Sequence, residues 1–316
     1  MEIDRLLSRI SKACGVDDIL VSLTEKIQMS DLNSLLMEVF NQKTKKISIS
    51  QLYQSYLTNP YVAPSQISPI ELLKFDTLAY SLLPGDCEVI ELSPLCPLGT
   101  CSSLAPVHQN KIISALRNSE VVSDATNVLA LECAKRRLQN NKNKNMRRDA
   151  ILKLATSHRF VRVQSAPDKT SKFTAHFKIF CVCFAGIDNG NYQFEVHSLQ
   201  EAIDFYLRLL KRACIHFTPT LYLEIYDKNI LKCIENELVP NLLNIHPQIK
   251  IKINREERGY NYYSAIRFHI SLDEVASGYP YLIDGGLTDW TKKIEGNQKA
   301  RFLISAIGSE LLLNYL

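Results

Sequence analysis

Carboxylate, hydroxyl and amide side chains crowd together in Asp124-Ala125-Thr126-Asn127, immediately ahead of a helical pattern. Such a group either caps the helix or holds the polar atoms of a ligand. Arg162 sits between valines in a strand-like run, Phe160-Val161-Arg162-Val163-Gln164, where a salt-bridged surface arginine and an anion-gripping one fit equally well. His176 follows a polar loop and can bind a ligand's acid or pack as a satisfied histidine beside aromatics. Tyr262-Tyr263, after Arg258-Gly259, offers pocket, rim or core aromatics, and Gly285-Gly286 a turn or close-packing pair. Cys96, Cys101 and His108 are too loosely spaced for the closed ligand set of structural zinc, so no metal is expected. The basic run 140–148 is a solvated helix end or loop, or else a phosphate-binding segment.

The chain behind these residues has 316 amino acids, 46% of them hydrophobic, enough to bury a real core in one large domain or two. A formal net charge of +4 is too mild to argue for a nucleic-acid partner. Nine cysteines without a CxxC pair point to scattered reduced thiols and a cytoplasmic home, with Cys181 and Cys183 buried on one face of a strand. The amphipathic start lacks a signal peptide's basic leader and apolar segment, and no stretch has the roughly 18 uninterrupted apolar residues of a membrane span. No membrane association is expected.

Residues 1–62 read as short helices, and the Pro-containing segment 59–64 marks the boundary to a second region, 63–316. There Ser68 and Pro69 open a helix over 68–83, followed by a strand ending at Pro94. The loop 93–111 is long, small-residue-rich and without assignable chemistry. Another helix is predicted over 126–139 and one over 201–215, among strands FVRVQ, FKIFCVCFAG, TLYLEIYD, IKIKIN and AIRFHISL. The fold class is α+β, a mainly antiparallel sheet flanked by helices with an N-terminal helical region.

Arg258-Gly259-Tyr260-Asn261-Tyr262-Tyr263 resembles the Arg-Gly-x-Asp-Tyr-Tyr signature of histidyl-tRNA synthetases, members of class II. Gly285-Gly286-Leu287-Thr288-Asp289 is similar to that family's Gly-Gly-Arg-Tyr-Asp, and Gly308-Ser309-Glu310-Leu311 to its final Gly-x-Glu-Arg motif. Helix 68–83 with Pro94 resembles motif 1, the dimer-forming element, and Asp124-Ala125-Thr126 the Glu-Gly-Thr beside the substrate amine. FVRVQ with HFKIFCVCFAG resembles motif 2. The likeness covers about residues 66–316. It implies a class II synthetase-like core, a homodimer, and catalytic roles for Arg162 and Arg258 in gripping phosphate. It also implies a substrate site at Asp124, Thr126, Asn127, His176, Tyr262, Tyr263, Gly285 and Gly286.

Adenylate formation concentrates negative charge at the α-phosphate, and losing one preorganised donor there costs about 3 kcal/mol, roughly a hundredfold in rate. The chain departs from the family at several such positions. Gln164 replaces a glutamate, and Leu131, Leu287 and Leu311 replace arginines. Ile179 and Cys183 replace polar groups that hold histidine. A paralogue that binds a small amino-acid-like molecule, regulatory or non-aminoacylating, is therefore expected. Like the family's regulatory subunit of ATP phosphoribosyltransferase, it would lack the C-terminal anticodon-binding domain. Two alternatives stand beside it. One is an adenylate-forming ligase using ATP and magnesium, with Lys292, Lys293, Lys299 and Arg301 supplying charge; the other is a module binding tRNA through 135–148.

Overall fold

A computed structural model describes residues 2–142, 150–163, 175–213, 218–255, 262–272 and 281–314. Arg258, Gly259, Tyr260, Asn261, Gln164 and most of the basic run 140–148 lie outside them. Four helices come first: α1 (Glu2–Cys14), α2 (Ile19–Glu25), α3 (Met29–Thr44) and α4 (Ile49–Thr58). Of residues 3–62 only Ser11 is buried. Helix α3 touches the rest of the chain through Asn33. Its amide donates to Asn118 Oδ1 at 2.7 Å and accepts from the Arg117 backbone at 3.1 Å, at a turn where both partners have positive φ.

Helix α5 (Pro69–Ser81) starts as its residues dictate, with the Ser68 hydroxyl accepting from Ile70 N and proline in the first turn. The strand expected over 87–94 is shorter. Only β1 (Glu88–Val89) joins the main sheet, and after Pro94 the chain forms β2 (Leu95–Pro97) of a separate sheet with β3 (Ser114–Ala115) and β4 (Ser119–Val121). Between them the small helix α6 (Thr100–Leu104) is held by the fully buried Glu120, which accepts from Gly99 N at 2.8 Å and Cys101 N at 3.0 Å. Helix α7 (Ala125–Lys142) is longer than the 126–139 expected.

The main sheet has eight strands: β1, β5 (Leu152–Val161), β6 (His176–Ile187), β7 (Pro219–Ile225), β8 (Lys250–Arg255), β9 (Ile266–Leu272), β10 (Ile283–Thr288) and β11 (Ala300–Gly308). Their spatial order is β1-β5-β6-β11-β10-β9-β7-β8. Only the outer pairs β1–β5 and β7–β8 are parallel; the inner strands are antiparallel throughout. The mainly antiparallel α+β reading holds. Strand β8 runs parallel to β7 because a helical crossover, α9 (Leu231–Cys233), a π-helical stretch Ile234–Leu238 and α10 (Val239–Ile245), returns the chain to the same end. Helices α11 (Trp290–Glu295) and α12 (Ser309–Leu313) flank β11.

Two predicted elements are displaced in sequence. Strand β5 lies mostly before the FVRVQ run, because its polar residues are buried and hide the alternation. Lys153 donates to Asp86 at 2.9 Å and Glu201 at 2.6 Å, and Ser157 donates to Asp76 at 2.7 Å. Helix α8 (Gln193–Ala213) begins eight residues before 201, at a turn where Gly190, Asn191 and Tyr192 all have positive φ. Phe194, Val196 and Leu199 extend its apolar stripe.

The sheet separates two apolar layers. On one face α8 and α5 pack over Phe180, Val182, Phe184, Phe268, Leu303 and Ile307. On the other α7 and Trp290 pack over Cys181, Cys183, Ala185, Phe302 and Ile304, so Cys181 and Cys183 do share a buried face. Lys153 is the cation the first layer can least lose. We expect Lys153→Ala to lower the unfolding free energy by about 2 kcal/mol, since Glu201 keeps only the exposed His197 beside it; urea denaturation measures this.

Candidate functional site

Residues directly opposite in antiparallel strands share a face, so the register fixes what meets what. Leu154, Cys183, Ile304, Gly286, Arg267 and Glu224 stand in line across β5, β6, β11, β10, β9 and β7. The neighbouring line reads Thr156, Cys181, Ala306, Asp284, His269 and Tyr222. Both lie on the α7 face. Helices α7 and α11 cover its β5, β6 and β11 part, and beyond them Asp284, Glu224, Tyr222 and Tyr281 are partly exposed. The result is a polar shelf running from the start of α7 to β7.

At the α7 end, Asp124 does two jobs. Its Oδ1 accepts from Thr126 N at 2.9 Å and Thr126 Oγ1 at 2.7 Å, which caps the helix. Its Oδ2 accepts from the Tyr262 hydroxyl at 2.9 Å and lies 3.5 Å from Arg162 Nη2. Arg162 also donates from Nε to the Ser123 carbonyl at 2.8 Å and rests 5.6 Å over the Phe177 ring, with 39% of its side chain exposed. Asn127 is wholly buried, and neither its amide oxygen nor nitrogen has a hydrogen-bond partner among the described residues. An unsatisfied buried amide is costly and calls for a partner.

The shelf continues through an edge-on contact of Tyr262 and Tyr263, centroids 4.9 Å apart. A side chain at Gly286 would collide with Tyr263 and the Ile266 carbonyl, so glycine lets that tyrosine lie against the strand. Beyond it Arg267 donates from Nε to Asp284 at 2.8 Å and faces Glu224 at 3.4 Å. Glu224 also accepts from Tyr226 at 2.6 Å, and His269 stacks on Tyr222 with centroids 4.6 Å apart. Burial, then the charge of Asp124, raises the Tyr262 pKa well above its ordinary value; burial, then Asp284, does the same for Tyr263. Both are neutral hydrogen-bonding phenols.

The structure thus brings together Asp124, Thr126, Arg162, Tyr262, Tyr263 and Gly286, with Asn127 on the adjoining turn of α7. It does not bring His176 or Gly285 to them. Gly285 opposes Ser305 on the α8 face, where its missing side chain admits Phe268. His176 lies on that face too, because β6 residues of its parity point toward α8. Its Nε2 lies 2.5 Å from the Ala63 carbonyl and its Nδ1 2.9 Å from Arg159. A carbonyl only accepts, so Nε2 carries the hydrogen and Nδ1 accepts from the guanidinium. The histidine fastens the 59–68 connection to the sheet, and Ser65 fastens it to α12 by donating to Glu310 at 2.6 Å.

Arg267, Asp284, Glu224 and His269 were not singled out by sequence reasoning. The one available signal was the polar alternation of Arg267 and His269 within AIRFHISL. Cys96 and Cys101 gather at Glu120, and no group of three or more potential metal ligands occurs among the described residues. Of the basic stretch 135–148, Lys135, Arg136 and Arg137 pair with Glu132, Glu88 and Glu295. No described helix is long and apolar enough to cross a membrane.

Burial and the Arg267 charge lower the His269 pKa from 6.5 to about 4. An unfolded His269 gains its proton as pH falls through 6.5, whereas the folded one resists until about 4. Stability is therefore full above 6.5 and is lost as pH falls through that window. Asp284 works with the opposite sign, since burial raises its pKa. We expect the melting temperature of His269→Gln to drop less than the parent's between pH 6.5 and 4; thermal melts at the two pH values measure the difference.

No protein-family model and no curated protein sequence matches the chain. Solved structures do. An ATP phosphoribosyltransferase regulatory subunit/histidyl-tRNA synthetase from Bacillus halodurans C superposes with a TM-score of 0.60 at 13% identity, over 82% of this chain and 83% of that one. The apo histidyl-tRNA synthetase of S. aureus gives 0.56 at 12% identity, over 79% and 67%. A histidine–tRNA ligase subunit from Alicyclobacillus acidocaldarius gives 0.55 at 9% identity, over 79% and 94%. The chain has a class II synthetase-like fold, shared with these proteins.

Proposed function

We propose that the chain binds a small amino-acid-like molecule on the shelf and acts through that binding, in a regulatory role, rather than by aminoacylation. The observation that carries this reading is the Arg162–Asp124–Tyr262 group, where a partly exposed cation stands beside a largely buried anion, close in sequence to the buried amide of Asn127, which has no partner among the described residues. Such a pair offers complementary contacts to both ends of a zwitterion. The likeness to an ATP phosphoribosyltransferase regulatory subunit supports the regulatory part.

Two departures support a non-aminoacylating role. Leu287 and Leu311, at positions where the resemblance implies arginines, pack in or against the apolar layer on the α8 face. Arg301 donates to Glu195 of α8 at 2.8 Å and to Asp188 at 2.6 Å, and Lys293 pairs with Asp289 at 3.0 Å. These two cations already have acidic partners, and Lys292 and Lys299 remain the charges the ligase reading would draw on. We expect no ATP–pyrophosphate exchange above background with any of the common amino acids. Exchange with even one of them would establish the adenylate-forming ligase instead.

Ile70 and Leu73 are 64% and 65% exposed, one turn apart on α5. That apolar stripe supports pairing of two chains through this helix. Sedimentation should report a dimer that Leu73→Glu dissociates; a parent that sediments as a monomer would contradict the pairing.

A further inference from the structure

We propose that the shelf contains a second subsite, built on Arg267, Asp284 and Glu224, which takes a cationic group, so that the ligand is a dipolar molecule bearing an additional amine or guanidinium. This rests on the reading of the shelf as a ligand site and names the ligand's class.

One guanidinium here faces two carboxylates. Arg267 bonds both oxygens of Asp284, at 2.8 and 3.3 Å, and lies 3.4 Å from Glu224. Among the described residues, the other polar neighbours carry no charge to balance the second carboxylate. Tyr226 donates to Glu224 at 2.6 Å, and His269, 3.5 Å from the same carboxylate, is neutral. On this face Lys252 lies 5.0 Å over the Tyr222 ring and bonds its hydroxyl at 3.3 Å. It pairs with neither acid among the described residues.

Exposure sets the direction from which a ligand arrives. The Arg267 side chain is 10% exposed and that of Asp284 31%, so the carboxylate, though largely buried, lies nearer to solvent than the guanidinium. A guest meets negative charge first. Around it lie ring faces already suited to cations, since Arg267 rests 4.9 Å over Tyr281. The Tyr262–Tyr263 contact joins this subsite to Asp124 and Arg162, which would hold the guest's amine and carboxylate.

Calorimetric titration of the full chain with L-arginine, L-lysine, L-citrulline and L-norleucine tests the subsite. The charged pair should bind at least about tenfold tighter than the neutral pair, and Asp284→Asn should erase that preference. Glu224→Gln, checked by thermal melting, serves should Asp284→Asn fail to fold. Equal affinity for charged and neutral probes overturns the subsite and leaves the shelf standing. Loss of all binding in Arg162→Ala alongside such equality would confirm that the two failures are separate. Absence of binding by any probe at about 10 mM overturns both.

Discussion

A guanidinium taken out of water is tolerated only with its charge answered, and Arg267 is answered by the register of three strands. Glu224 stands directly opposite it on β7, and Asp284 lies diagonally across on β10. Breaking such a buried arrangement by removing one member costs several kcal/mol, because the remainder is left uncompensated. Shifting β9 by one residue would send the cation to the α8 face, among Phe180, Phe268 and Leu303, and shifting β7 or β10 would carry off one of its carboxylates. The ion pair and the register therefore select one another. Gly286 is part of the same constraint, since it opposes Arg267 and makes room for Tyr263.

The two faces of the sheet divide the work. The α8 face is apolar over most of its area and supplies the large aromatic packing, including Phe180, Phe205 and Tyr206. Its polar groups, Lys153, Asp76, Ser157 and His176, fasten helices and the N-terminal connection to the sheet. The α7 face keeps an apolar layer only under α7 and α11 and becomes polar where those helices end. Function on such folds belongs to the site rather than to the architecture. The cations and tyrosines on this shelf are what distinguish the chain from a bare scaffold.

Much of the fold was legible in the sequence because its elements obey simple periods. Helix α5 announced itself through Ser68 and Pro69, and β6, β7 and β9 through runs of β-branched and aromatic residues. Strand β5 was not legible, since Lys153, Ser157 and His158 are polar yet buried, and only tertiary partners reveal why. At the site, Asp124, Thr126, Arg162 and the two tyrosines could be found through motif resemblance. His176 and Gly285 lie on the α8 face, which a loop or a glycine pair does not declare in advance. Arg267, Asp284 and Glu224 come from three strands, and nothing short of the pairing register joins them.

The central claim is that Asp124, Tyr262, Tyr263 and Asp284 wall one continuous ligand-binding surface. A crystal structure of the chain grown with a saturating basic amino acid examines it most directly. The account predicts density for the guest spanning Asp124 to Asp284, with its distal nitrogen at hydrogen-bond distance from the Asp284 carboxylate. Density elsewhere, or Arg267 and Arg162 on opposite faces of the sheet, would contradict it.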